Sequence, residues 1–221
     1  MKLIYNPLGF SMNIQKNNSN ILVIENHEEF EKFLLRLNEQ TKGDVDYFYT
    51  DEEKMTLFHR ISIITSPFDL KIAEREIQKK LYNHLIDELD STDLLENLNE
   101  AHSAIIKVME ELSLICDYEI DYDECFSLNS LLKNINVRLK LLDGNFCEKL
   151  ISFGEISYKL LAKDFIVLYN CDAYLQSEDY YNLNKWANYN EITLLFIRNN
   201  QFIYPKECNE YIIDKDLCEI H

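Results

Sequence analysis

Between Glu110 and Glu124 the sequence reads EELSLICDYEIDYDE, with seven carboxylates (Glu110, Glu111, Asp117, Glu119, Asp121, Asp123, Glu124) and no basic side chain. Hard cations take oxygen donors, and calcium accepts about six to eight of them in flexible geometry. In composition this is a hard-cation site, and acids at alternate positions in a loop between helices could converge several oxygens on one ion. The glycine and terminal glutamate spacing of an EF-hand is missing, and a solvated acidic elbow is the alternative that composition leaves open.

Cations are scarce, so their placement carries information. The chain has 22 Lys and Arg against 39 Asp and Glu, a formal net charge of -17. That balance alone argues against nucleic acid or an anionic membrane as partner unless basic groups are locally concentrated. Two concentrations exist. Lys71, Arg75 and Lys79 recur every fourth residue, opposite the apolar line Ala73, Ile77, Leu81, Leu85 and Leu89 of one amphipathic helix. Further along, Lys133, Arg138, Lys140 and Lys149 outnumber Asp143 and Glu148. Such patches can track a phosphate backbone with little base preference, or can simply be solvated faces.

Catalytic groupings are harder to find. Asn20 to Leu37, NILVIENHEEFEKFLLRL, has the strand, turn and helix of a nucleotide-binding unit. The turn lacks the glycines, Lys and Ser or Thr of a P-loop, and Glu28 and Glu29 would repel a phosphate there, so NTP hydrolysis is not expected. DFIVLYNCDAYL ends a buried strand with Asn170 and Asp172, where a magnesium-holding acid could sit. With Asp69 it gives an alternative reading as a metal-dependent nuclease. There is no Gly-x-Ser-x-Gly or His-Glu-x-x-His, and the six cysteines show no zinc spacing.

These residues need elements to hold them. Strand patterns occur at KLIY, near Met12 to Ile14, in the NILVI run, at Val45 to Tyr49 and at Arg60 to Thr65. Helical periodicity follows from Leu70 to about Leu89. It continues through Leu94, Leu98, Ala101, Ile105, Val108, Leu112 and Ile115, nearly a coiled-coil seam, and resumes in FSLNSLLKNI and from Asn145 to Leu161. Buried strands return at DFIVLYN and Ile192 to Ile197, around a short helix from Glu178 to Asn188, before Tyr211 to Ile213. The pattern predicts an α/β fold: a head of residues 1–85 and 161–221 built on one parallel-rich sheet, with an inserted helical leg of residues 86–160. Neither a signal peptide nor a membrane span is apparent, and the expectation is a cytoplasmic protein with reduced thiols.

Order and spacing along nearly the whole chain resemble the CRISPR-associated Csn-two family. The likeness rests on Thr65, Phe68 and Asp69 before the long helix, on Tyr122-Asp123-Glu124 at the elbow, and on Lys133, Val137-Arg138 and Glu148-Lys149. FIVLYNCDAYL, ITLLFI and Tyr211-Ile212-Ile213-Asp214-x-Asp216 complete it, whereas Ser66-Pro67 is shorter than the family's loop and lacks its glycine. The resemblance implies a head related to NTPase folds without hydrolysis, a helical leg, and a homotetrameric ring around linear double-stranded DNA. It implies no enzymatic activity, and a role in spacer acquisition beside the integrase complex and effector nuclease of the same system. Calcium would be held by Asp121, Asp123 and Glu124, with Glu119 beside them, and Lys133, Arg138 and Lys149 fall at commonly basic positions. A protein-binding scaffold on a degenerate fold is the remaining alternative.

Overall fold

The computed structural model describes residues 2–41, 47–50, 59–70, 75–90, 92–125, 127–140, 142–200 and 208–220. The chain divides into two compact units, Met1–Ile72 with Leu141–His221, and Ala73–Lys140.

The first unit is built on a six-stranded sheet. Its strands are β3 (Ser19–Ile24), β5 (Ile61–Ile64), β6 (Phe165–Tyr169), β7 (Thr193–Arg198), β8 (Asn209–Ile213) and β9 (Glu219–Ile220), in the order β5-β6-β7-β3-β8-β9. All neighbours are parallel except β8 and β9. Every residue of β3 and β7 is buried, because both faces of the sheet are covered. Side chains alternate between the faces. Ile21 and Val23 join Ile166, Leu194 and Phe196 on one side, against Leu150, Phe153, Leu183 and Trp186. Those last four come from α5 (Phe146–Leu161) and α6 (Ser177–Tyr189). Leu22 and Ile24 join Val167, Leu195 and Ile197 on the other side, against Phe33 and Leu37 of α1 (His27–Thr41).

That second face also receives three strands whose pairing the sequence does not announce. One parallel-rich sheet was expected, but β1 (Lys2–Tyr5), β2 (Phe10–Asn13) and β4 (Phe48–Thr50) form a separate antiparallel sheet, ordered β2-β1-β4. The β1–β2 hairpin turns through Asn6–Leu8 and closes at Gly9, whose φ of 64° is left-handed. Tyr5, Phe10, Met12 and Phe48 then pack into the α1 side of the core.

The second unit holds α2 (Arg75–Asp90), α3 (Leu94–Ile115) and α4 (Leu128–Asn134). The leg was expected over residues 86–160; helices do run to Leu161, while the division by compactness counts α2 with the helical unit and α5 with the sheet-bearing one. Phe146, Cys147, Leu150 and Phe153 of α5 are part of the core beside the sheet, which is the physical reason it is counted there. Ile77, Leu81 and Tyr82 of α2 and Leu132 of α4 are buried, whereas α3 buries none of its residues.

Candidate nucleic-acid interface

The cations of the two sequence patches meet within the helical unit. Arg75, Gln78, Lys79 and Tyr82 occur at i, i+3, i+4 and i+7 on α2, which places them on one face. Asn129 and Lys133 are one turn apart on α4. Together these six line a pocket of about 380 Å³. Tyr82 forms its floor: it is 6% exposed, and its hydroxyl lies 3.2 Å from the Val137 carbonyl and 3.4 Å from that of Leu132. Gln78 Nε2 donates to the Tyr82 hydroxyl at 2.8 Å and to the Val137 carbonyl. These bonds tie α2 to the end of α4 and fix the spacing of the cations above them. Ser127 caps α4 by accepting the Ser130 N–H, and Lys133 stands in its last turn, where the helix dipole favours a cation.

Among the described residues no carboxylate lines this pocket, and none of Arg75, Lys79 and Lys133 has an ion pair with another of them. In a chain of net charge -17 that is an uncommon concentration of free positive charge. The remaining expected contacts lie elsewhere. Lys71 is outside the described residues, Arg138 is exposed in the segment after α4, and Lys149 is on α5 in the sheet-bearing unit. Gln78, Tyr82 and Asn129 were not anticipated. The i, i+3 and i+7 spacing from Arg75 was the available signal for the first two.

Glu119, Asp121, Asp123 and Glu124 are exposed in an irregular segment after α3. Asp123 Oδ1 accepts the Cys125 N–H at 2.8 Å, a local turn bond. The Asp123 carboxylate also holds the Cys125 thiol above its ordinary value, by a hydrogen bond first and by charge second. Among the described residues no three His, Cys, Asp or Glu gather into a metal-holding group. These oxygen donors are of the type hard cations take, and they are spread along the segment.

The turn before α1 differs from its sequence reading. Glu28 pairs with Lys32 at 2.6 Å and is thereby held below its usual carboxylate range. Glu29 does not face the turn. It is 8% exposed, accepts from the Tyr5 hydroxyl at 3.0 Å and sits 3.5 Å from Arg36. Of these two acids, only Glu28 is available to repel an approaching phosphate. Asp69 is likewise engaged: it accepts the Thr65 N–H at 3.0 Å and the Thr65 hydroxyl, which holds its carboxyl below the ordinary range. The Asp172 side chain lies outside the described ones.

A parallel-rich α/β sheet unit joined to a helical unit with a cation-lined pocket defines the class of protein. The sequence matches the family model described as CRISPR-associated protein (Cas_Csn2) over residues 40–217, and the chain belongs to that family. Its role is accordingly CRISPR-associated. Among solved structures, the fold is similar to the crystal structure of Stu0660 of Streptococcus thermophilus, with a TM-score of 0.64 and 17% identity, covering 100% of this chain and 76% of that one. A weaker similarity, TM-score 0.45 and 12% identity over 94% of this chain and 77% of that one, is to cbiO1 from Clostridium perfringens, part of an ABC transporter complex. No curated protein matches the sequence. Among the described residues no helix is long and apolar enough to cross a membrane.

Proposed function

We propose that this protein binds linear double-stranded DNA as a ring of identical chains in CRISPR adaptation, without catalysing a reaction on it. The observation that carries the reading is the convergence of Arg75, Lys79 and Lys133 on a pocket with no carboxylate among its described lining residues. Acidic surface excludes a polyanion from most of the molecule, so contact must concentrate where cations stand unpaired. Symmetric assembly repeats that patch, and closure around a duplex would turn a few phosphate contacts into topological retention. Exposed apolar residues along α3, including Ile105, Val108 and Leu112, supply a surface for self-association.

No step of this reading runs through calcium. Calcium at Glu119, Asp121, Asp123 and Glu124 remains a proposal that needs further donors, which a second chain could bring. The integrase complex and effector nuclease of the same system are the proposed protein partners, and Arg138, Lys149 and Lys71 are proposed as further DNA contacts.

A gel-shift series with linear and closed circular duplexes of one sequence tests the reading. Linear DNA should bind, circular DNA should not, and affinity for the linear form should fall steeply with salt. Lys79→Glu should weaken binding at least tenfold. Equal binding of both topologies would remove the ring, and an unchanged affinity of the variant would remove this interface. Cleavage by the unaltered chain that Asp69→Asn abolishes would restore the nuclease reading.

A further inference from the structure

The α2–α4 pocket has a shape that a continuous phosphate backbone does not need. A duplex offers its charges in rows along its surface, about one per 1.7 Å of helix axis, and a flat stripe of cations suffices to follow them. Here the cations instead rim a concavity of about 380 Å³, within the size range of small-ligand sites. Its floor is the buried Tyr82 ring and its sides include the amides Gln78 and Asn129. Gln78 and Tyr82 are bonded to each other and to the end of α4, so the concavity is held open by its own frame. Asn129 lines the same concavity, and its buried Oδ1 accepts no hydrogen bond, so a small rotation of this amide would offer an unsatisfied acceptor to a ligand hydroxyl or amino hydrogen.

These features together describe a ligand with a concentrated negative charge at one end and a flat or carbon-rich body carrying hydrogen-bond donors. We infer that the pocket takes a nucleoside phosphomonoester, either free or as the 5′-terminal phosphate and nucleotide of a duplex. A terminal phosphomonoester carries about -1.5 to -2 charges at pH 7, and its three free oxygens accept strong hydrogen bonds. Arg75 can chelate two of those oxygens with its planar fork, while Lys79 and Lys133 act as point charges on either side. The duplex arm of this inference rests on the DNA-binding reading above. The free-nucleotide arm does not.

The experiment uses the full chain and three probes: deoxyadenosine 5′-monophosphate, and one duplex bearing either 5′-phosphate or 5′-hydroxyl ends. Calorimetry should detect the monophosphate, and anisotropy should show the phosphorylated duplex binding at least fivefold tighter than its hydroxyl twin. Lys133→Gln should abolish both effects, and Lys133→Arg should restore them. Lys133 is exposed, so neither change should lower the melting temperature. Equal affinity for the two duplexes with no uptake of the monophosphate overturns the inference and leaves DNA binding standing. Monophosphate uptake lost in Lys133→Gln, with no binding of either duplex, supports the pocket and overturns the DNA reading instead. A phosphate preference that Lys133→Gln retains places the anion elsewhere and overturns the inference.

Discussion

Asn26 Oδ1 accepts the backbone N–H of Glu29 at 3.1 Å, and its amide nitrogen donates to the Lys215 carbonyl at 3.0 Å. The first of these bonds occupies a donor that a nucleotide phosphate would use at the start of α1. The start of the helix is thus capped from within the chain. Asn26→Ala should therefore cost stability by about 1 kcal/mol, the usual worth of a helix cap. Urea unfolding measures it: the midpoint should fall with an unchanged slope, and an unmoved midpoint would reject Asn26 as the cap.

Tyr5 joins the first strand to that same helix. Its hydroxyl donates to Glu29 and accepts from Arg36, and its ring lies 4.8 Å from Phe33 and 4.9 Å from Phe48. Its pKa is pushed up to about 12, first by burial, with Arg36 lowering it and Glu29 raising it. A raised folded value means that the folded chain keeps its proton where the unfolded chain has lost it. The stability tied to that proton is whole below the ordinary value of 10.0 and drains away as pH rises through about 12. Cys147 and Cys171 are also pushed up to about 12, mainly by burial, so alkaline loss should not vanish in any one variant. Tyr5→Phe should be less stable near neutrality, where the bridge between Glu29 and Arg36 is lost. Its stability should fall less steeply than the parent's between pH 10 and 12. Parallel curves from chemical unfolding across that range would exclude Tyr5 as the titrating group.

What the sequence made legible follows from the range of the interactions involved. The SNILVI strand was readable because apolar residues on a two-faced strand leave a local signature, and Leu22 and Val23 do lie on opposite core faces. The second sheet was not, because β1 must pair with β4, more than 40 residues away, through a register that no local pattern encodes: Leu3 with Thr50 and Tyr5 with Phe48. Glu29 was read as a charge facing a phosphate at the turn, but it is buried against Tyr5 and Arg36. The contrary signal was present, since Glu29, Phe33 and Leu37 are spaced at i, i+4 and i+8 on the buried face. Arg75 and Lys79 were legible as a stripe and Lys133 as part of another. Their meeting depends on Tyr82 and Gln78 bonding across to Val137, a tertiary fact outside charge spacing. Composition likewise picked out the elbow's carboxylates, and among the described residues no three of them gather.

Gly154 permits the close packing of α5 on α6. A Cβ at that position would lie 2.2 Å from Trp186 Cη2, 2.8 Å from Cζ2 and 3.1 Å from Ile166 Cδ1. Trp186 is 9% exposed and Ile166 is wholly buried, so neither can swing aside into solvent. A helix interior normally gains about 1 kcal/mol from Gly→Ala. Here overpacking should outweigh that gain, and Gly154→Ala should destabilise by about 1–3 kcal/mol, with Trp186 fluorescence altered in the folded state. An increase in melting temperature would show that the helices have room to part.

α3 presents the largest question of assembly. Ile105 is 53% exposed, Val108 55% and Leu112 45%, on a helix that buries none of its residues. An isolated helix with this seven-residue patterning gains little from water on its apolar line, whereas pairing with a second copy would bury it. Stable interfaces remove about 1,200–2,000 Å² from solvent, so one helix face would have to be supplemented by neighbouring surface. Ile105→Glu with Leu112→Glu should leave monomer stability within about 1 kcal/mol, because both positions are already solvated. The same pair should reduce the mass measured by light scattering. If the protein prefers linear DNA because it closes a ring, as proposed, that preference should fall with the mass. If a second chain completes the elbow, calcium uptake should fall as well, since the elbow begins directly after Ile115. A variant that keeps its full mass would move the interface off α3, and one that loses mass but still distinguishes linear from circular DNA would separate end recognition from closure.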